Sequence, residues 1–247
     1  MRRNNRHVGD KQNESVRAML SLRKLSAERL REFLAAQSKL DFTYSAVGAT
    51  AAVPPAGYVV DRTRIKLGEG PSVFAAAQAA LRRWEQFRLG WVETWPPETP
   101  IQAGQVVAVI ARLFGLWWLN ACRIVYVVDE GGPVQRCGFA YGTLPEHAES
   151  GEERFTVEWH EADDAVWYDI LAFSRPQQLL ARLGYPLARR LQKRFARDSA
   201  AAMRRAVAEG APLQQLLGQL RSIRTDLRFR EDGIHTVLTV ERQQKGK

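Results

Sequence analysis

Between Ser72 and Ser199 the chain passes from one amphipathic helical pattern, through a run of short alternating segments, into a second helical pattern. That order constrains the fold more than any composition figure. Over 72–87, Phe74, Ala77, Leu81, Trp84 and Phe87 recur at steps of three and four, the spacing that lines one face of a helix. From 106 to 173 apolar residues alternate with polar ones, and turn-forming residues interrupt them. From Arg175 onward a single stripe of Leu187, Leu191, Phe195, Ala202 and Ala206 returns to helical spacing. A sheet with a helix at each end has one face to bury, and the last helix is expected to lie across it.

The alternating segments read as strands at 58–67, 105–114, 119–129, 135–142, 154–160 and 165–174. Cys137, Phe139 and Tyr141 share one face of the fourth, and Phe155, Val157 and Trp159 one face of the fifth. Trp167, Asp169, Leu171 and Phe173 share one face of the last. Tight turns at Gly131-Gly132-Pro133 and Glu161-Ala-Asp-Asp164 favour an antiparallel meander of about six strands. The expected fold class is therefore α+β, an antiparallel sheet wrapped on a long C-terminal helix in the helix-grip arrangement.

Three regions follow. Residues 1–21 form a basic extension, disordered over 1–14 where apolar residues are few. Residues 22–210 form the helix-grip domain. Ser26 caps a helix over 26–38, 41–50 is extended, Ser72 caps the 72–87 helix, and 95–100, with Pro96, Pro97 and Pro100, is a rigid loop. Residues 211–247 form an accessory tail, with a short helix over 212–223 and a hairpin turning at Asp232-Gly233.

The net charge of +9 points to nucleic acid until it is located. Residues 1–40 carry +6 and 211–247 carry +3, so 41–210 is neutral, and the body is not a nucleic-acid scaffold. Within it, 129–169 is acidic and 182–205 basic. Attraction between sheet and helix accounts for that polarity, with an anionic membrane surface or anionic ligand as the alternative. No apolar run reaches the ~18 residues of a membrane-spanning helix. Cys122 and Cys137 fit burial in a reducing compartment, so a cytoplasmic location is expected.

The densest motif is Gly138-Phe-Ala-Tyr-Gly-Thr-Leu-Pro-Glu-His-Ala-Glu-Ser-Gly-Glu-Glu153. Together with Phe42-Thr-Tyr-Ser-Ala-Val-Gly-Ala-Thr50, Trp117-Trp118-Leu-Asn-Ala-Cys-Arg123 and Phe173-Ser-Arg-Pro176, it resembles an uncharacterised family of bacterial and plant proteins, a domain of unknown function. The resemblance covers about 22–207. It implies a single domain distantly similar to the START and birch-pollen-allergen superfamily, and no established activity.

Arg112, Asn120 and Arg123 interrupt apolar strands and are candidate polar anchors in a pocket. A buried Arg needs a partner. Asp169 is the natural one, and a ligand carboxylate or phosphate is the functional alternative. Tyr126, Tyr141, Thr143, Trp167 and Phe173 supply candidate walls. Trp117 and Trp118, being adjacent, face opposite ways. His147, Glu149, Glu152 and Glu153 form an acidic loop read chiefly as solvated. No phosphate loop, dinucleotide fingerprint, nucleophile elbow or zinc spacing occurs, so no metal or cofactor is expected. The leading function is binding of a small hydrophobic or amphipathic molecule. The alternatives are a hydrolase, cyclase or isomerase with His147 or Asp169 as base, and an interaction module acting through the basic ends.

Overall fold

Alternation over six segments becomes a single curved sheet whose two faces carry different cargo. The computed structural model describes residues 20–177, 185–221, 228–230 and 233–235. The sheet contains β1 (Leu20–Ser21), β2 (Val59–Glu69), β3 (Val92–Trp95), β4 (Val106–Leu113), β5 (Leu116–Glu130), β6 (Val134–Thr143), β7 (Glu149–His160) and β8 (Ala165–Pro176). Every pairing is antiparallel, in the order β2-β8-β7-β6-β5-β4-β3. β1 pairs with β5 at Trp117 and Trp118, beyond the point where β6 leaves it at Cys122. Helices α1 (Ala27–Gln37), α2 (Pro71–Arg82) and α3 (Tyr185–Arg221) complete the domain. β9 (Arg228–Arg230) and β10 (Gly233–His235) form a separate two-stranded ladder, in which Gly233, expected in the turn, is already paired with Arg230.

The concave face carries Phe139 and Tyr141 from β6, Phe155 and Val157 from β7, and Val166, Tyr168 and Ile170 from β8, all in the main core with Trp84, Phe87 and Met203. Ring contacts bind this layer: Trp84 to Phe139 at 4.8 Å, Phe87 to Phe155 at 5.4 Å and Phe87 to Phe195 of α3 at 5.3 Å. Burying aromatic rings removes the largest apolar areas from water. On the convex face α1 sets Leu30 and Leu34 against Ala108, Ile110 and Leu119. Trp118 accordingly packs inside and Trp117 outside.

The architecture is the helix-grip arrangement, an antiparallel sheet with a long C-terminal helix across its concave face. It has more strands than the alternation reveals, because β3 has four residues and β1 two, too few to show a period. Ser26 does cap α1, its Oγ accepting the Arg29 amide at 3.4 Å. Ser72 does not cap α2. Gly70, at φ 90°, precedes Pro71 in the first helical position, where the missing proline N–H costs nothing. α2 stops at Arg82, and Trp84 turns left-handed at φ 58°. The buried Trp84 indole donates to Thr99 O at 2.8 Å, a tertiary contact that the helical spacing does not anticipate. Residues 41–50 are not a strand; they form turns leading into a 3₁₀ helix at Ala49–Ala51. α3 runs unbroken through Pro212; the carbonyl that loses its partner belongs to Ala208, on the exposed side, where water replaces it. The expected 1–14 extension lies outside the described residues.

Charge is settled mainly within the sheet. Asp169 pairs with Arg62, and Glu158 with Arg64 and Arg136. Arg189 of α3 does reach the sheet, but at Asp61 of β2 rather than in the acidic stretch. Arg194 and Arg197 pair with Asp198 on their own helix. Cys122 and Cys137 are free and buried.

Candidate functional site

α3 does not lie flush on the sheet. Between its Leu191–Arg204 stretch and the inner face of β2, β4, β6, β7 and β8 is a cavity of about 710 Å³. Ile65, Val109, Ala111, Ile170, Leu191 and Phe195 supply apolar wall. A cavity of this size with few polar groups is the common form of a small-molecule site.

The sheet brings the acids Asp61, Glu149 and Glu153 to the cavity, while Lys193, Arg197 and Arg204 of α3 stand at its border. β6 and β7 place Tyr141 directly opposite Glu153, and the Tyr141 hydroxyl donates to Glu153 Oε2 at 2.8 Å. Burial raises the Glu153 carboxyl to about 7, against the Tyr141 hydrogen bond, which pulls it down. Glu149, two positions beyond Gly151 on the same face, is also raised by burial; hydrogen bonds from Ser174 and Gln192 and the charge of Arg189 oppose the shift. Glu149 Oε2 is buried without a hydrogen-bond partner among the described residues. His147 borders the cavity and burial lowers it to about 4. Its ring is therefore neutral, and Nδ1 lies 3.0 Å from the Glu149 amide and 3.1 Å from the Glu149 carbonyl. Asp61 meets Arg189 in a bidentate pair at 2.5 and 2.7 Å. Among the described residues no three His, Cys, Asp or Glu side chains converge as a metal site requires.

The residue beside Glu153 does different work. Glu152 points to the convex face, where it is 2 % exposed. Tyr44 Oη and the Gly48 amide donate to its Oε2, both at 2.7 Å, while the Thr50 amide at 3.0 Å and the Thr50 hydroxyl donate to Oε1. A buried carboxylate with this many donors is satisfied, and it fastens residues 44–50 to the sheet. Gly142 leaves room for Tyr44, since a Cβ there would collide with the phenol oxygen. Two of the densest motifs thus meet at one carboxylate.

The nine residues singled out from the sequence are not brought together. Tyr141, Thr143 and Phe173 border the cavity, although the Phe173 ring turns outward to Tyr44 and Tyr58, at 5.6 and 5.3 Å. Arg112 is on the convex face, 5.6 Å from the Trp117 ring. Arg123 is there too; its Nη2 donates to Ser38 O at 2.8 Å and Leu40 O at 2.7 Å, supplying donors at the C-terminal end of α1, where carbonyls lack helical partners. Arg123 therefore pairs neither with Asp169 nor with the cavity. Asp169 is fully buried on the convex face and accepts from Arg62 Nε at 2.8 Å. Trp167 lies beneath Arg64, 4.8 Å away. Tyr126 bonds Thr50 Oγ1 at 2.7 Å. Asn120 accepts the Ala148 amide at 3.3 Å, tying 144–148 to β5. The common cause is phase: on β8 the inward set is Val166, Tyr168 and Ile170, and both sets are apolar enough to read as core.

Sequence reasoning treated Glu149, Glu153 and His147 as a solvated loop. The signal for Glu153 was present. Phe155, Val157 and Trp159 point inward, and Glu153 continues the same period by one step.

Residues 43–202 match the pattern of the family described as Domain of unknown function (DUF1990). A UPF0548 protein of Dictyostelium discoideum is 41% identical over 157 residues, covering 60% of this chain and 72% of that protein. A UPF0548 protein of Arabidopsis thaliana is 33% identical over 152 residues, again covering 60% and 72%. Among solved structures, Ara h 8.0201 is similar with a TM-score of 0.39 at 13% identity, covering 62% of this chain and 99% of that one. Human STARD10 has a TM-score of 0.35 at 12% identity, covering 78% and 84%. The family match covers most of the domain just described, and the chain belongs to the DUF1990 family.

Proposed function

We propose that this protein binds a small hydrophobic or amphipathic molecule in the cavity between the sheet and α3. The observation that carries the reading is the cavity itself, about 710 Å³ with a mainly apolar wall and the Tyr141–Glu153 pair set into it. An interior built only for stability is close-packed; this one keeps a space open and lines it with acids that burial disfavours. Native mass spectrometry of the purified protein tests the reading, alongside titration with the neutral fluorophore prodan. A co-purifying small molecule, or saturable blue-shifted prodan emission, is expected. The absence of both signals would overturn it.

A second reading is acid–base chemistry on the bound molecule. It is favoured by a neutral His147 and by Glu153, raised to about 7, on one cavity. Groups that titrate near the working pH suit proton transfer. Asp169 has no part in it, since it faces the other side of the sheet. We place the protein in the cytoplasm on the strength of its two free, buried thiols. Since β1 joins the sheet and α3 continues to Arg221, the segments before Leu20 and after Arg221 are read as appendages to the binding domain.

A further inference from the structure

We propose that the cavity selects an apolar amine, whose nitrogen forms an ion pair with Glu153 on the inner wall. This inference rests on the ligand-binding reading above and names the chemistry of its ligand.

The argument is one of uncompensated charge. Asp61, Glu149 and Glu153 all border the cavity. Arg189 serves this wall and is held bidentately by Asp61. Glu153 accepts from Tyr141 of β6, and the charge of Asp61 on β2 pushes its carboxyl up. Among the described residues no cation forms an ion pair with it; Arg62 and Arg189 are paired with Asp169 and Asp61. Tyr141 occupies Oε2, and Glu153 keeps accessible surface while bordering the cavity. A buried carboxylate without a positive partner is costly, and a ligand nitrogen supplies that partner. The surrounding wall is apolar, so the remainder of the ligand is apolar as well.

Apart from Arg62 of β2, whose guanidinium is paired with Asp169, the basic residues bordering the cavity among the described residues are on α3. Lys193, Arg197 and Arg204 are exposed, and Arg197 shares Asp198 with Arg194. They repel an ammonium ion at the entrance and leave a neutral amine unaffected. Entry as the free base is then followed by proton transfer: the Glu153 O–H bond breaks, an N–H bond forms on the amine, and carboxylate and ammonium remain as a pair. The transfer itself takes up and releases no proton; an amine that is an ammonium ion in bulk water at about pH 7 leaves one proton there when it enters as the free base. Burial holds Glu153 near 7 in the empty cavity, so the proton is available at neutral pH.

The test is displacement of prodan from the full-length protein by decylamine, decan-1-ol and decanoate at submicellar concentration, at pH 7. Decylamine is expected to displace prodan at concentrations at least tenfold lower than decan-1-ol, with decanoate weakest. In Glu153→Gln that preference is expected to collapse to within twofold while prodan itself still binds. Decylamine no better than decan-1-ol in the unaltered protein would overturn the amine proposal and leave the cavity reading standing. Preference surviving in Glu153→Gln but lost in Glu149→Gln would overturn the assignment to Glu153. Absence of saturable prodan binding in the unaltered protein defeats the underlying cavity reading instead.

Discussion

Tyr141 and Glu153 occupy directly opposed positions on β6 and β7, and the phenol donates to the carboxylate at 2.8 Å inside the cavity. One rung of the ladder thereby sets both the electrostatics and the chemistry of the space beneath α3. Its neighbours in sequence, Gly142 and Glu152, form the next rung and serve the opposite face. There Tyr44 fills the space that Gly142 leaves and donates to Glu152.

Two of the perturbed groups bordering the cavity, Glu153 and His147, bend the pH–stability curve in opposite directions. Glu153 is raised from 4.5 to about 7, so the folded state binds its proton more tightly than the unfolded state. The stability this gives is complete below 4.5 and is lost as pH rises through 7. His147 is lowered from 6.5 to about 4; the stability of its neutral ring is present above 6.5 and is lost as pH falls through 4. Glu153→Gln is expected to stabilise the protein at pH 8 by about 2–3 kcal/mol and to have little effect at pH 4. His147→Gln should flatten the acid limb. Urea melts across pH 4–8 check both, and a Glu153→Gln protein no more stable than the parent at pH 8 would contradict the assigned burial.

Arg123→Met removes donors from the carbonyls that end α1 and is expected to cost about 1.5–3 kcal/mol, the range for hydrogen bonds to a charged group. Asp169→Leu should not rescue it, because Asp169 is bound to Arg62. Chemical denaturation of the two single variants and the double variant gives the coupling directly. An interaction energy above about 0.5 kcal/mol would place the two residues in one network after all.

Glu152→Ala leaves the Tyr44 hydroxyl and the Gly48 and Thr50 amides without their acceptor. A loss of about 3–5 kcal/mol is expected, as for breaking a buried charged cluster. Amide hydrogen exchange should accelerate at 44–50 before it does in β6 or β7. Uniform acceleration over the whole sheet would mean that this loop is not fastened by Glu152.

Leu191→Trp projects an indole into the cavity and is expected to abolish prodan binding while moving the melting temperature by a few degrees at most. Leu191 borders open space, so the overpacking cost of about 1–3 kcal/mol that a filled core incurs should be largely absent. A fall in melting temperature above about 8 °C would show that Leu191 packs against the sheet rather than facing the cavity.

The fold was legible where a period repeats often enough to declare itself. β2, β6 and β7 and the stripe on α3 each run for several cycles. β1 and β3 do not, and they escaped. Proline was misleading at Pro212, where the exposed side of α3 tolerates the missing donor. The site was harder to read because it depends on phase. Tyr141 belongs to an unambiguous face, and it borders the cavity. Trp167 and Asp169 were preferred over Tyr168 because both faces of β8 are apolar enough to be core. Arg123 was read as an anchor because a strand pattern does not disclose that a helix end lies beneath its side chain. Glu153 was one alternation step from Phe155, and a charged residue continuing an inward row was taken for a loop.

The pairing of β2 with β8 has a consequence for synthesis. Val60 is matched with Phe173, and Ile65 with Tyr168, so the first long strand made borders the last. β4 to β7 can close hairpin by hairpin as they leave the ribosome, because each pairs with its successor. At an elongation rate of about 5–20 residues per second, β2 waits several seconds with its β8-facing edge unpaired. Its alternating Arg62, Arg64 and Lys66 give that waiting edge a positive charge, which discourages nascent chains from pairing with one another. α3 emerges later still, so the concave face stays open to ligand until translation has passed the sheet.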